Sequence, residues 1–259
     1  MSSHPPVDAS NPCSRLPRSE IQDSNGNDRT EYLRPFEGRC WYLKNSLREL
    51  LGYRLGAGEI NVAEVRFAPP EWGLPRDRVI VRVAQETDLL SLPLQDLNEA
   101  VASELVFSLW IRRRDTHAFN RAYVGGLPVF FDHSTALFGD RDDGVVEHFL
   151  RDGDDSGYVP RWRVTPQDDV PTTESARELC RTNCALHVVR DLPSFWAAFD
   201  SWVDQVAGRD LSGLEALIQD CSFPDDQVGP VSDLLRQSQR ELPELAERVK
   251  EFLEEPIAT

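Results

Sequence analysis

The chain has 259 residues, of which 40% are hydrophobic, so it is long enough to bury a substantial core. Its 28 basic and 44 acidic residues give a formal net charge of −16. This charge argues against nucleic acid as a partner, because nucleic-acid affinity rests on Lys and Arg side chains that neutralise phosphates. It also argues against stable association with an anionic membrane surface.

The N-terminal segment and the cysteines bear on the compartment. Residues 1–20 are polar, rich in Pro and Ser, and lack the apolar stretch of a secretory signal, so we expect a disordered tail. The five cysteines are widely spaced and odd in number, which favours reduced thiols. These features predict a cytoplasmic protein.

The next segment, residues 21–86, is predicted to form a small β-rich lobe with about five strands and one short helix at 46–55. The clearest predicted strands are at 29–36, 39–44, 60–67 and 78–84. Strands 29–36 and 39–44 are separated by Glu37-Gly38, which is typical of a tight turn. Residues 85–90 would then be the hinge to the rest of the chain.

Lysine is rare in this chain. Only Lys44 and Lys250 occur among the 28 basic residues, and the others are arginine. Lys44 ends the predicted strand 39–44. A compact ammonium group on a flexible stem can reach between phosphates where a planar guanidinium cannot. Lys44 is therefore a candidate phosphate ligand, although chance alone can produce such a distribution.

Apolar residues follow helical spacing from Leu94 to Ile111, and the predicted helix leads into Arg112-Arg113-Arg114. We expect these three arginines to form a solvated, salt-bridged cluster. The segment that follows, Asp115 to Asn120, is predicted to be a loop. A β-hairpin is predicted next, from Tyr123 to Asp132, with its turn at Gly125-Gly126.

A loop followed by a hairpin that ends in an acid can bring three polar side chains together, here Asp115, Asn120 and Asp132. Phosphoryl transfer needs such a set: one carboxylate orients the attacking hydroxyl, and an amide and a second carboxylate hold the metal on the phosphates. The same Asp and Asn side chains have an alternative role, which is to satisfy the backbone of an ordinary turn.

The pattern D-x-H-x-x-N at Asp115, His117 and Asn120, followed by Phe131-Asp132-His133, resembles the catalytic loop and metal-binding motif of phosphatidylinositol 3/4-kinases and HipA-like Ser/Thr kinases. The resemblance covers about residues 21–140. It implies ATP as phosphoryl donor and Mg²⁺ held by Asn120 and Asp132. Asp115 would orient the acceptor hydroxyl and take its proton, and His117 would fix the loop or contact phosphate.

Within the small lobe, the resemblance implies that Lys44 contacts the α- and β-phosphates and pairs with Glu49. It also implies a phosphate-covering loop that contains Ser24, Asn25 and Gly26, although a single glycine departs from the Gly-rich kinase pattern. Glu49 has a second possible role, because Ser46 and Glu49 have the S-x-x-E spacing of a helix capping box. The sequence leaves pairing and capping open.

The remainder is predicted to be acidic and irregular at 140–172, as in a substrate-gating loop, and then helical. Cys180, Cys184 and His187 would share one helical face, which we expect to be core rather than a zinc site. Helices are predicted at 173–187, 192–207, 210–220, 231–238 and 243–253, separated by glycines and prolines that include Gly229-Pro230.

Together these features predict an α+β protein with a two-lobed, protein-kinase-like fold: a β-rich lobe at 21–86 and a larger helical lobe at 87–259. The predicted activity is ATP- and Mg²⁺-dependent phosphoryl transfer to a hydroxyl. A protein Ser or Thr is the favoured acceptor, because the negative charge disfavours a membrane-bound one. Two alternatives stay open: a kinase-like binding module without turnover, and transfer of AMP to protein.

Overall fold

The computed structural model describes residues 11–15, 32–82, 97–113, 121–124, 127–130, 133, 136–137, 162–166, 185–189 and 192–254. Within these residues the protein is α+β, with a small antiparallel sheet near the N-terminus and a mostly helical remainder. The strands are β1 Leu33–Phe36, β2 Arg39–Lys44, β3 Val65–Phe67, β4 Val79–Arg82, β5 Arg121–Val124, β6 Leu127–Phe130, β7 Trp162–Pro166 and β8 Ala185–Val189. The helices are α1 Leu47–Gly56, α2 Leu97–Trp110, α3 Leu192–Ala207, α4 Leu214–Asp220 and α5 Asp225–Glu254.

The N-terminal sheet has the strand order β1-β2-β4-β3, and every pair in it is antiparallel. A two-residue turn joins β1 to β2, and its residues Glu37 and Gly38 have φ angles of 49° and 70°. Positive φ at both central residues is the geometry that suits a right-twisted hairpin. The turn sets the register of β1 against β2, in which Leu33 lies opposite Tyr42. On the other side of β2, its last residue Lys44 lies opposite Val79 of β4.

Helix α1 covers one face of this sheet. Its buried side chains Leu50, Leu51 and Leu55 belong to the same core as Val65 and Val79 of the sheet. The burial of these apolar side chains holds α1 on the sheet. Because only Asn45 and Ser46 connect β2 to α1, the start of the helix lies next to the end of the strand.

Helix α2 is the centre of the helical part and is buried along residues 101–110. It packs against α3, α5 and strand β6. A helical segment buried on every side is stable only when neighbours enclose it, and residues 101–110 of α2 meet that condition. Among the described residues, no helix is both long and apolar enough to cross a membrane.

The two arginines that follow α2 are buried, so the expected solvated cluster is wrong for them. Arg113 is fully buried and its guanidinium lies 3.4 Å from the buried carboxylate of Glu104. Arg112 donates through Nε to Ser238 Oγ at 2.7 Å and pairs with Glu241 at 3.1 Å. The α5 side chains that pair with Arg112 are more than 120 residues away in sequence, so local spacing could not reveal them. Arg114 lies outside the described residues.

Three predictions for the C-terminal part are corrected. Residues 185–189 form strand β8, which pairs in parallel with β7, so His187 is not on a helix. Strand β7 itself lies in the segment expected to be irregular. Helix α5 runs through Pro230 and Pro243 without a break. Each proline removes one backbone hydrogen bond, but the buried stripe of α5 continues on both sides, at Leu235, Leu242, Leu245 and Val249.

The N-terminal tail also departs from its prediction. Residues Pro12–Arg15 form a short 3-10 helix that packs against β1 and β2. Cys13 is bonded to Cys40 by a disulfide, with their Cα atoms 4.9 Å apart. The prediction of reduced thiols is therefore wrong for this pair, because folding brings two residues 27 positions apart into contact. Among the described cysteines, Cys221 carries a free thiol.

Candidate functional site

The first feature of the candidate site is an ion pair between β2 and α1. The Lys44 ammonium donates to Glu49 Oε1 at 2.7 Å. The Glu49 side chain is fully buried, whereas 21% of the Lys44 side chain is exposed. A buried carboxylate is costly unless a cation and hydrogen bonds compensate it. The short Asn45-Ser46 connection supplies that cation from the end of the neighbouring strand.

The structure separates the two roles that the sequence left open for Glu49. Ser46 is the N-cap residue of α1, but its side chain makes no capping hydrogen bond. The Glu49 backbone N–H donates to the Ser46 carbonyl at 3.2 Å, as in an ordinary first helical turn. The Glu49 carboxylate is used for the pair with Lys44, so the capping box is absent. The action of Lys44 on phosphates stays a prediction.

The second carboxylate oxygen of Glu49 binds a distant part of the chain. Glu49 Oε2 accepts a hydrogen bond from the His133 backbone N–H at 2.6 Å. His133 directly follows Asp132, the predicted metal ligand. One buried carboxylate thus connects the lysine at the end of β2 to the residue after the predicted metal ligand, across 84 positions of sequence.

The His133 ring lies between two helices. It is buried, and its centroid is 6.0 Å from that of Phe107 on α2 in an edge-to-face arrangement. On the other side lies Gly52 of α1, where an added Cβ would come within 2.6 Å of His133 Cγ. Gly52 follows Glu49 by three residues and so shares its side of the helix. The missing side chain at Gly52 therefore permits the close approach of the ring.

Backbone hydrogen bonds hold the segments on either side of the predicted catalytic residues. Phe130, at the end of β6, donates to the Asn61 carbonyl at 2.7 Å and accepts from the Ala63 N–H at 2.8 Å. The Leu137 N–H donates to the Ile111 carbonyl at 2.8 Å. Ile111 precedes Asp115 by four residues, and Leu137 follows Asp132 by five. The chain that enters the predicted loop and the chain that leaves the predicted metal motif therefore meet.

Seven predicted site residues lie outside the described part of the chain: Asp115, His117, Asn120, Asp132, Ser24, Asn25 and Gly26. Their assignments stay predictions. Within the described ranges, no group of three or more His, Cys, Asp or Glu side chains is arranged to hold a metal ion. Cys180 and Cys184 also lie outside these ranges, so the expectation that they belong to the core stays a prediction.

Sequence reasoning did not assign Gly52 to this site, and it named His133 only as the last residue of the Phe131-Asp132-His133 motif, without a role of its own. A glycine inside a helical pattern lowers helix stability and often marks a close packing contact. Gly52 therefore carried a usable signal, which the capping pattern at Ser46 and Glu49 obscured. His133 carried none, because its contribution to the ion pair is made by a backbone N–H that every residue except proline has.

The Gly52→Ala substitution is expected to lower the melting temperature. This is the opposite of what helix propensity alone predicts, since alanine is more favourable than glycine in a helix by roughly 1 kcal/mol. The new Cβ would overlap the His133 ring, and neither α1 nor α2 can move without loss of buried contacts. Gly213→Ala is the matched control, since its Cβ would meet nothing within 4 Å and its φ of −91° suits alanine. Equal melting temperatures for the two variants would contradict the close contact.

Comparison of the chain with protein-family models, with curated proteins and with solved structures finds no match. The sequence motifs and the contacts around Lys44, Glu49 and His133 are therefore the features of this chain that indicate a function.

Proposed function

We propose that this protein is an ATP- and Mg²⁺-dependent phosphotransferase with a two-lobed, kinase-like fold, which transfers a phosphoryl group to a hydroxyl of a protein Ser or Thr. The observation that carries the proposal is the Lys44–Glu49 pair, formed between a strand of a small antiparallel sheet and the helix that follows. Kinases use such a pair to hold a lysine on the nucleotide phosphates.

The surroundings of Lys44 suit that role. The Lys44 side chain is 21% exposed, and the buried Glu49 carboxylate fixes the position of its ammonium group. Glu49 is itself fixed by the His133 backbone N–H. A cation held in place before the ligand binds loses less conformational entropy on binding than a mobile surface lysine would.

The contacts of Glu49 also support the assignment of Asp132. The carboxylate that orients Lys44 is bonded to the residue immediately after Asp132. In kinases the lysine–glutamate pair and the metal-binding Asp must both be in place for transfer. A direct hydrogen bond from one element to the residue next to the other is a physical means of coupling them.

The remaining roles follow the motif. Asn120 and Asp132 would hold Mg²⁺, which when bound neutralises charge on the phosphates. Asp115 would orient the acceptor hydroxyl and take its proton. His117 would fix the loop or contact phosphate. Ser24, Asn25 and Gly26 would cover the phosphates through backbone N–H groups, a role that does not require side-chain chemistry.

Asp132→Ala is expected to abolish Mg²⁺-dependent ATP binding while leaving the protein folded. The variant removes one of two proposed metal ligands, and the phosphates would then face fewer compensating charges. Thermal shift with ATP, measured with and without Mg²⁺, reports the loss directly. Asp233→Ala, which removes an exposed acid from α5, serves as the control. A wild-type shift in the Asp132 variant would remove this residue from the site.

The test of the proposed function is incubation with ATP labelled at either the γ- or the α-phosphate, followed by intact-mass analysis of the chain and of a Ser/Thr peptide library. Transfer of γ-label alone is the expected result. Transfer of α-label would instead identify AMP transfer. A thermal shift with ATP but no transfer would identify a binding module. The absence of both a thermal shift and transfer would refute a nucleotide site.

A further inference from the structure

The Cys13–Cys40 disulfide lies on the same strand face as Lys44. Alternate residues of a strand point to the same side, so Cys40, Tyr42 and Lys44 share one face of β2. Leu33 of β1 lies opposite Tyr42 in the register and so shares that face. The disulfide therefore lies at one end of the face of β2 whose other end carries the candidate nucleotide lysine.

The segment that the disulfide holds is short. Pro12–Arg15 is a single 3-10 helix of four residues, and helices of this length are not stable alone. Cys13 packs in a small apolar cluster with Leu33 and Cys40 that is separate from the main core. A few apolar contacts compensate little of the entropy lost on ordering such a segment. The covalent bond to β2 is thus the main restraint that the described contacts provide.

Tyr42 connects this cluster to the site. It is partly buried and packs against both the small apolar cluster of Cys13, Leu33 and Cys40 and the main hydrophobic core. It also stands two residues from Cys40 on one side and two from Lys44 on the other. Release of the Cys13 segment would uncover Tyr42, and the disturbance would reach the end of β2 where Lys44 meets Glu49.

We propose that Cys13–Cys40 is a reversible thiol–disulfide exchange site that controls access to Lys44. A small dithiol is the class of reductant that it would take. One thiolate of the dithiol attacks a sulfur of the bond and forms a mixed disulfide, and the second thiolate then displaces the protein sulfur. Two electrons pass to the protein, which gains two thiols, and the dithiol leaves as a cyclic disulfide. The exchange does not depend on phosphoryl transfer.

The other described cysteine does not compete in this exchange. Burial raises the pKa of the Cys221 thiol to about 12, so it stays protonated at neutral pH. The thiolate is the reactive form in disulfide exchange, so this fully buried neutral thiol is inert, whereas Cys13 and Cys40 keep 9% and 7% of their surface exposed. Reduction in the folded protein is therefore expected to change Cys13 and Cys40 and to leave Cys221 as it is.

The experiment compares the acylation rates of Lys44 in oxidised and dithiothreitol-reduced protein, using the N-hydroxysuccinimide ester of acetic acid and peptide mass spectrometry. Lys250, the only other lysine, lies on α5 and is the internal reference in the same sample. Alkylation with iodoacetamide counts the thiols released. We expect a several-fold rise in the Lys44 rate relative to the Lys250 rate on reduction, and its reversal on reoxidation.

Two results would overturn the proposal. One is an unchanged rate ratio after both thiols have become alkylable, and the other is a bond that dithiothreitol reduces only in denatured protein. The variants Cys13→Ser and Cys40→Ser provide a second test because they cannot form the disulfide. In each of them the reagent should acylate Lys44 fast, whether or not dithiothreitol is present. Circular dichroism verifies that these variants are folded. Because no nucleotide is added, failure of this proposal leaves the phosphotransferase proposal untouched, and the reverse also holds.

Discussion

Lys44→Met is expected to lower the free energy of unfolding by about 3–5 kcal/mol, because it removes the cation from a buried carboxylate. The methionine side chain has a similar length, so the loss would reflect charge rather than volume. Glu49 is fully buried, whereas the carboxylates paired with Lys250 are more than half exposed. Lys250→Met is therefore the matched control and should cost no more than about 1 kcal/mol.

The double variant Lys44→Met/Glu49→Gln distinguishes an ion pair from simple packing. The glutamine amide can still accept from the His133 N–H, and no charge remains buried, so most of the lost stability should return. Urea unfolding of the wild type, both single variants and the double variant gives the coupling free energy. Additive losses in this cycle would show that Lys44 and Glu49 do not stabilise one another.

Asp115→Asn is expected to reduce phosphoryl transfer by roughly 10²–10⁴-fold while ATP binding is retained, since the shape is kept and the proton acceptor is removed. Transfer rates with γ-labelled ATP and thermal shifts with Mg²⁺ and ATP would be measured on the same samples. Asp225→Asn, at the exposed start of α5, is the control for a generic acid-to-amide change.

Lys44→Arg complements Asp115→Asn because the two changes should fail in different ways. The guanidinium keeps the positive charge but places it on a longer, planar group, so ATP should bind less productively as well as react more slowly. Asp115→Asn should leave binding unchanged. Wild-type transfer by the Asp115 variant would mean that the mechanism assigned to this loop is wrong.

The first hairpin and the helix of the N-terminal part were predictable because they rest on short-range patterns, whereas the predicted strand 60–67 is a strand only at Val65–Phe67. The prediction of strand 39–44 coincides with β2, and the predicted helix 46–55 differs from α1 by one residue at each end. The positive φ angles of Glu37 and Gly38 match the tight turn expected between two β-rich runs. The pair of Lys44 with Glu49 was one of two roles that the sequence left open, because a separation of five residues permits the pair while the S-x-x-E spacing permits a helix cap.

The contacts that assemble the site were not predictable, because they join residues far apart in sequence. Nothing near Gly52 indicates that the His133 ring will pack against it, and the disulfide of Cys13 depends on where β2 lies. Arg112 looked solvated because three adjacent arginines usually are, and only the fold shows Ser238 and Glu241 beside it. Pro230 and Pro243 suggested helix ends, but packing of α5 on the core outweighs two missing hydrogen bonds.

The central claim is that Lys44, held by Glu49, contacts nucleotide phosphates, and the presence of only two lysines allows a direct test. An acyl-phosphate derivative of ATP transfers its acyl group to an amine beside the bound phosphates. The proposed site predicts acylation of Lys44 in preference to Lys250, and protection of Lys44 by excess ATP with Mg²⁺ but not by adenosine. Equal labelling of the two lysines, or labelling of Lys44 that excess ATP does not prevent, would contradict a nucleotide site at this ion pair.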